Sequence, residues 1–345
     1  AERRARGEPL TRAEIGVLLA YSKLVLFSDL VESGVPDEPH FEADLLGYFP
    51  DRMAGKYEAE IRGHRLRREI IATELANDAV NRGGSTFVSR LQDLTGCAPA
   101  DVVAAYAVVR DGFDLPALYS EVDALDNRVT GAMQIAFYQR IRRLVLAGTG
   151  WQLKNGGGAP VAQRVAALRA ARKVLEPALP ELMPAFMQER TSERTASFTA
   201  AGAPPDLAQR LATLGIAEIV PDIAMLAEQA GAGLEKSAAA FLAVTEAFRI
   251  GRIEEAARSI QPTDYYEGLA LARATDMIGA ARRGIAAAAL GTAPDRGDSV
   301  AIWLDAGGNR ANRTRERLQA LTEGGEISVA KLTVAAGLMA DLAGQ

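Results

Sequence analysis

The chain has 345 residues, 48% hydrophobic and 24% charged, with a formal net charge of −5. That is ordinary globular composition, long enough for two or three compact units, and it excludes a fibrous or disordered chain. The acidic balance argues against a nucleic-acid partner, the single Cys97 excludes an intrachain disulfide framework, and no apolar run reaches the roughly 18 to 20 residues that cross a bilayer. A soluble protein of the reducing cytoplasm is expected.

The opening Ala1-Glu2-Arg3-Arg4-Ala5-Arg6 is charged and has neither an apolar signal core nor an initiator Met, so it reads as a cut inside a longer chain. Thr11-x-x-Glu14 is a capping box, and behind it Ile15, Leu18, Leu19, Ser22, Val25 and Leu26 recur at helical spacing until Gly34 and Pro36. Pro50 and Asp51 open an interrupted helical stretch through Ile61 to Arg82, ended by Gly83-Gly84. A helix follows over 85–95, closed by Gly96, and another over 102–110 behind Pro99. Cys97, at this junction, is expected to be a buried bystander thiol. A long helix is predicted from Asp126 to Ala147, ending in Gly148-Thr149-Gly150.

The Gly-rich segment 148–160 is the best candidate boundary between an N-terminal lobe (1–150) and a C-terminal lobe (151–345). Helices are then predicted near 161–175, 178–200, 206–213, 216–230, 234–249, 252–260, 264–290, 298–323 and 326–343, with breaks or kinks at Pro177, Pro180, Pro184, Pro221, Pro262 and Pro294. No segment alternates apolar and polar residues between hairpin turns. The predicted fold is all-α, an irregular multi-helix bundle in two packed lobes.

The sequence carries no catalytic constellation. Gly148-Thr149-Gly150 and Gly231-Ala232-Gly233 follow no strand and cannot form a dinucleotide turn. There is no phosphate-binding G-x-x-x-x-G-K-[ST] motif and no Asp-Asp pair for Mg²⁺, and His40 and His64 with one cysteine cannot build an ordinary zinc site. No catalytic, cofactor-binding or metal-binding residue is therefore assigned. Arginine outnumbers lysine 33 to six, which fits a GC-rich genome better than an anion-binding surface.

The run His64-Arg65-Leu66-Arg67-Arg68-Glu69-Ile70-Ile71-Ala72-Thr73, then Leu75-Ala76-Asn77 and Val80-Asn81-Arg82, together with Leu10 to Lys23, resembles the large bacterial NAD-specific glutamate dehydrogenases. Tyr48-Phe49-Pro50, Thr86-Phe87 with Arg90-Leu91, Leu125-Asp126, Gly202 to Ala208 and Ile327 to Ala330 fall in the order of that family's C-terminal region. The resemblance implies a parent enzyme of glutamate catabolism that oxidises L-glutamate to 2-oxoglutarate with NAD. It also implies a catalytic domain upstream, with Glu2–Arg6 as the seam. The piece itself is implied to be inactive, to bind no cofactor, and to serve assembly or domain positioning. Its implied partners are its own catalytic domain and other subunits of a homo-oligomer. Two readings stand beside this one: a free-standing helical scaffold or protein-binding module, and an all-α enzyme acting on a lipid-like substrate.

On a helical wheel, Ile61, Ile71, Ala72, Leu75 and Ala79 share one face, and Leu66, Ile70 and Val80 lie on roughly the opposite one. His64 and Arg68 edge the first stripe and Thr73 and Asn77 fall inside the second, while Arg67, Glu74 and Asp78 form a face read as solvated. His64, Arg67, Arg68, Glu69, Thr73, Asn77, Asn81 and Arg82 are thus candidates for a satisfied inter-helix network or for a docking surface, with Asn77 expected to be buried and hydrogen-bonded. Trp151 and Trp303, near predicted loops, are candidate seam or interface anchors. Arg142-Arg143 and Arg282-Arg283 are weaker docking candidates of the same kind, and such pairs are more often plain solvated helix positions.

Overall fold

The computed structural model describes residues 7–294 and 296–344. The expected seam at Ala1–Arg6 lies outside them. All regular structure among the described residues is helical, as the sequence predicts. The contacts group the chain into two compact units, one running to Arg169 and the other starting at Ala170. The division falls inside one helix, not in the 148–160 segment where the sequence suggests a boundary.

The first unit opens with α1 (Arg12–Glu32). The Thr11 hydroxyl accepts from the Glu14 amide at 3.3 Å and the Glu14 carboxylate accepts from the Thr11 amide at 2.8 Å, so the capping box forms as read. Two 3-10 turns (Val35–Asp37, Pro39–Phe41) lead to the short helices α2 (Glu42–Gly47), α3 (Asp51–Lys56) and α4 (Glu58–Arg62). Then come α5 (Arg67–Gly83), α6 (Phe87–Thr95), α7 (Pro99–Gly112), α8 (Leu115–Asp123) and α9 (Gly131–Asn155). Gly84 and Gly96 adopt positive φ behind α5 and α6, and Gly96 takes the left-handed conformation that ends a helix at little cost for glycine.

The centre of this unit is α7. Val102 to Val109 are all buried, as a helix apolar on every side must be, and α1, α5, α6, α8 and α9 surround it. Alanines at 104, 105 and 107 let neighbours come close.

The long helix departs from the sequence reading at both ends. It starts at Gly131, capped by Thr130, and runs through Gly148-Thr149-Gly150 to Asn155. These glycines serve packing, not termination: a Cβ on Gly148 would stand 3.0 Å from the Val109 side chain on α7. Absence of a side chain brings the two helices together, and the packing outweighs the helix-breaking tendency of glycine.

α10 (Val161–Leu182) runs through Pro177 and Pro180 instead of breaking there, and its end is capped by Gln188, whose amide donates to the carbonyls of Pro180 and Met183 at 3.2 and 2.9 Å. The second unit continues with α11 (Ala185–Ala200), α12 (Pro205–Ala217), α13 (Val220–Ala230), α14 (Leu234–Ala247) and α15 (Ile250–Ser259). It closes with α16 (Tyr265–Thr292), α17 (Ser299–Ala306), α18 (Gly308–Glu323) and α19 (Val329–Ala343). The predicted helix 298–323 is two, because Gly308 turns the chain at φ +54°. α16 packs against α19, and the small residues Ala281, Ala286 and Ala289 of the one and Ala335, Ala336 and Met339 of the other are buried.

Candidate functional site

The densest polar assembly in the first unit centres on Arg110, in the last turn of α7, whose side chain is 10% exposed. Its guanidinium donates to both carboxylate oxygens of Asp44 on α2, at 2.7 and 3.1 Å. It also donates to both oxygens of Asp111, at 2.7 and 2.9 Å. Asp78 of α5 stands 3.5 Å away and accepts from the Tyr106 hydroxyl at 2.8 Å. His40, in the second 3-10 turn, meets Asp111 at 2.7 Å through Nε2. One guanidinium thus ties α2, α5, α7 and the 3-10 turn together, in the forked geometry that suits Arg and not Lys.

The electrostatics follow from crowding. Burial works to lower the pKa of Arg110, but hydrogen bonds and charge from Asp111 and Asp44 outweigh it and hold the cation. Burial pushes the Asp111 carboxyl up, yet His40 and Arg110 bring it below the usual carboxylate range. Tyr106 is pushed well above its ordinary value, by burial first and the Asp78 carboxylate second. Glu74 is raised by burial and by repulsion from Asp44 and Asp78. At the rim, the Arg82 guanidinium lies 3.8 Å from the Tyr119 ring centroid and 3.9 Å from Asp78, and Tyr138, bonded to Asp123, is raised to about 12 by burial and that carboxylate.

Chemically this is a closed set. Each described donor on Arg110 faces a carboxylate, and a buried ion cluster of this kind fixes geometry more than it adds stability. No group of three or more His, Cys, Asp or Glu that could hold a metal occurs among the described residues.

The sequence candidates do not converge on this hub. Arg82 reaches its edge. Arg68 instead donates to the Val31 and Ser33 carbonyls at 2.9 and 2.8 Å and pairs with Asp37, so it clamps the C-terminal end of α1, where a cation is favoured. It is engaged within the unit, as the inter-helix network reading has it. His64 accepts from the Leu66 amide at 3.1 Å and lies against Phe49, a local turn. Thr73 donates to the Glu69 carbonyl at 2.7 Å, within its own helix and not across helices. Asn77 is half-buried, and no hydrogen bond to its side chain occurs among the described residues; the expectation of a buried, bonded amide is corrected.

Arg67 is half-buried with Nε unpartnered, Glu69 is half-buried and Asn81 is exposed. Trp151 lies within α9 and Trp303 within α17, both half-buried, and Cys97 is half-buried rather than buried.

The wheel also needs correcting. Ile71, Ala72, Leu75 and Ala79 are buried as read, but Leu66 is 49% exposed, and Asp78, assigned to a solvated face, belongs to the hub. Likewise Arg142 donates to the Gly83 carbonyl at 2.9 Å, and Arg282 is buried between Glu254 and the Phe241 ring, so neither is a plain solvated position. Reading by motif missed Arg110, Asp111, Asp44 and His40. One signal could have found the first two: a charged pair closing the apolar run Val102–Val109 has nowhere to go but into a paired cluster.

Residues 7–341 match the family model described as "Glutamate dehydrogenase, C-terminal". The chain is 30% identical over 345 residues to an NAD-specific glutamate dehydrogenase of Halomonas elongata, covering 99% of this chain and 21% of that protein. It is 42% identical over 155 residues to the NAD-specific glutamate dehydrogenase of Pseudomonas aeruginosa (45% of this chain, 10% of the relative). To that of Mycobacterium tuberculosis it is 28% identical over 346 residues (97% and 21%). The chain thus spans about a fifth of the length of the relatives it matches throughout. No helix among the described residues is long and apolar enough to cross a membrane. With the match extending over nearly all of its length, the chain belongs to the glutamate dehydrogenase C-terminal family.

Proposed function

We propose that the chain is the non-catalytic helical region of a cytoplasmic NAD-specific glutamate dehydrogenase, and that it supports assembly or domain positioning. In the parent protein L-glutamate, NAD⁺ and water give 2-oxoglutarate, ammonium, NADH and a proton. The glutamate and nucleotide sites lie in the larger portion outside this chain. The reading is carried by full-length alignment with relatives named for that activity and roughly five times as long. The internal pairing of Arg110, Arg68 and Arg282 supports a role in architecture. The expected partners are the catalytic portion of the same polypeptide and further subunits of a symmetric homo-oligomer.

The test is made on the full-length protein and on a version lacking residues 7–344. Glutamate-dependent NADH formation is followed by absorbance, and assembly by mass photometry. Loss of assembly or of thermal stability on deletion is expected. An unchanged oligomer with full activity would refute the architectural role, and no glutamate-dependent NADH formation by the full-length protein would refute the parent reaction. Calorimetric titration of the chain with NAD⁺ is expected to show no stoichiometric binding.

A further inference from the structure

Helix α1 is apolar on two faces and the first unit covers only one of them. Leu26 and Leu30 are buried and Leu19 is half-buried, all on the side facing α5, and Arg68 holds the helix's C-terminal end. On the opposite side Val17, Leu18, Tyr21, Leu24 and Val25 are each 45% to 65% exposed. Their spacing is i, i+1, i+4, i+7, i+8, which at 100° per residue is one continuous stripe about 120° wide. No charge interrupts it between Val17 and Val25; Lys23 lies on the covered side and is half-buried. A stripe of five large apolar side chains on two turns of helix has the form of a helix-in-groove ligand.

We infer that this stripe docks, within the same polypeptide, against the catalytic portion of the parent enzyme; the inference rests on the reading proposed above. Area decides between a tethered and a free partner. Five side chains, each only 45% to 65% exposed, fall short of the roughly 800 Å² per partner of a freestanding complex. A covalently attached partner escapes most of the association entropy, because linkage supplies an effective concentration on the order of millimolar. Helix α1 is also the first element of the family-matched region, which begins at residue 7, and on the proposed reading it is the element nearest in the chain to the catalytic portion. The uncovered stripe lies across the middle of the helix, from Val17 to Val25, while the clamp at Val31 and Ser33 holds the C-terminal end to the helical unit.

The experiment places a photoreactive benzoylphenylalanine at position 21, in place of Tyr21, in the full-length protein. Glutamate-dependent NADH formation is measured on the same preparation before illumination. The expected result is a crosslink inside one polypeptide, with no doubling of mass on a denaturing gel. Peptide mapping should place it between the matched region and the catalytic portion, and the double variant Tyr21→Glu, Leu24→Glu should show a lower unfolding midpoint of the full-length protein. A crosslink to α1 or any other site of a second copy overturns the inference, and so does the absence of a protein crosslink. Activity with an intermolecular crosslink sinks the docking alone. An intramolecular crosslink without activity sinks the parent reaction and leaves the docking standing.

Discussion

Replacing Arg110 with Met keeps the aliphatic stem and removes the charge on which the hub is built. Asp44 then loses both hydrogen bonds it receives and Asp111 loses two, while their side chains, 13% and 16% exposed, stay largely out of water. Removing one partner of a buried pair costs about 3–5 kcal/mol, and partial access to water puts this cluster near the lower figure. With a urea dependence of about 2 kcal/mol/M for a unit of this size, the midpoint should fall by about 1.5 M. Trp151 lies in the first unit and Trp303 in the second, so a Trp303→Phe background makes fluorescence report on the first unit alone.

The pH dependence gives a second check. Asp111 has a depressed folded pKa, so its contribution is complete above the unfolded carboxyl value and is lost as pH falls through the folded one. Without the guanidinium the Asp111 carboxyl rises, and acidification relieves the variant while it weakens the wild type. The deficit is therefore largest near neutrality and shrinks toward about pH 4. A midpoint drop below about 0.3 M, or a deficit independent of pH, would refute the account of the hub.

Other outcomes follow from single contacts. Gly83→Ala should lower stability by about 1–3 kcal/mol despite better helix propensity, because a Cβ there would sit 2.3 Å from the buried Phe87 ring. Gly16→Ala, with nothing within 4 Å, should raise it by roughly 0.5–1 kcal/mol, and equal signs for the two in thermal unfolding would contradict the packing argument. Glu74→Gln should stabilise at pH 7, since the raised carboxyl pKa means that the ionised form is penalised in the fold. The gain should vanish as acid protonates the wild-type side chain, which denaturation at several pH values would show. Asn77→Leu should shift the urea midpoint by an amount equivalent to less than about 0.5 kcal/mol, because its amide has no described partner to strand.

The sequence exposed what depends on neighbours along the chain and hid what depends on neighbours in space. Thr11 and Glu14 are three residues apart, so their mutual capping could be read directly. Gly148 could not be read that way: its meaning comes from Val109, thirty-nine positions away, and in isolation a glycine pair looks like a helix end. Pro177 and Pro180 misled for the same reason, as the helix containing them ends only where Gln188 caps it. Arg110 meets Asp44 across sixty-six positions, and no motif of fixed spacing encodes such a cluster. Asp78 was misplaced because a wheel registers apolarity, and a carboxylate facing a buried guanidinium looks on a wheel like one facing water.

The enclosure of α7 gives this unit an internal clock. Amides at the surface exchange with solvent whenever a turn frays, at rates that describe only local opening. Those between Val102 and Val109 have protein on every side, so deuterium reaches them only when the surrounding helices come away. Their exchange rate therefore measures opening of the whole unit, and substitutions anywhere in its five neighbouring helices can be ranked by how much faster α7 takes up label. A helix with no face of its own becomes the place where changes elsewhere in the unit are recorded.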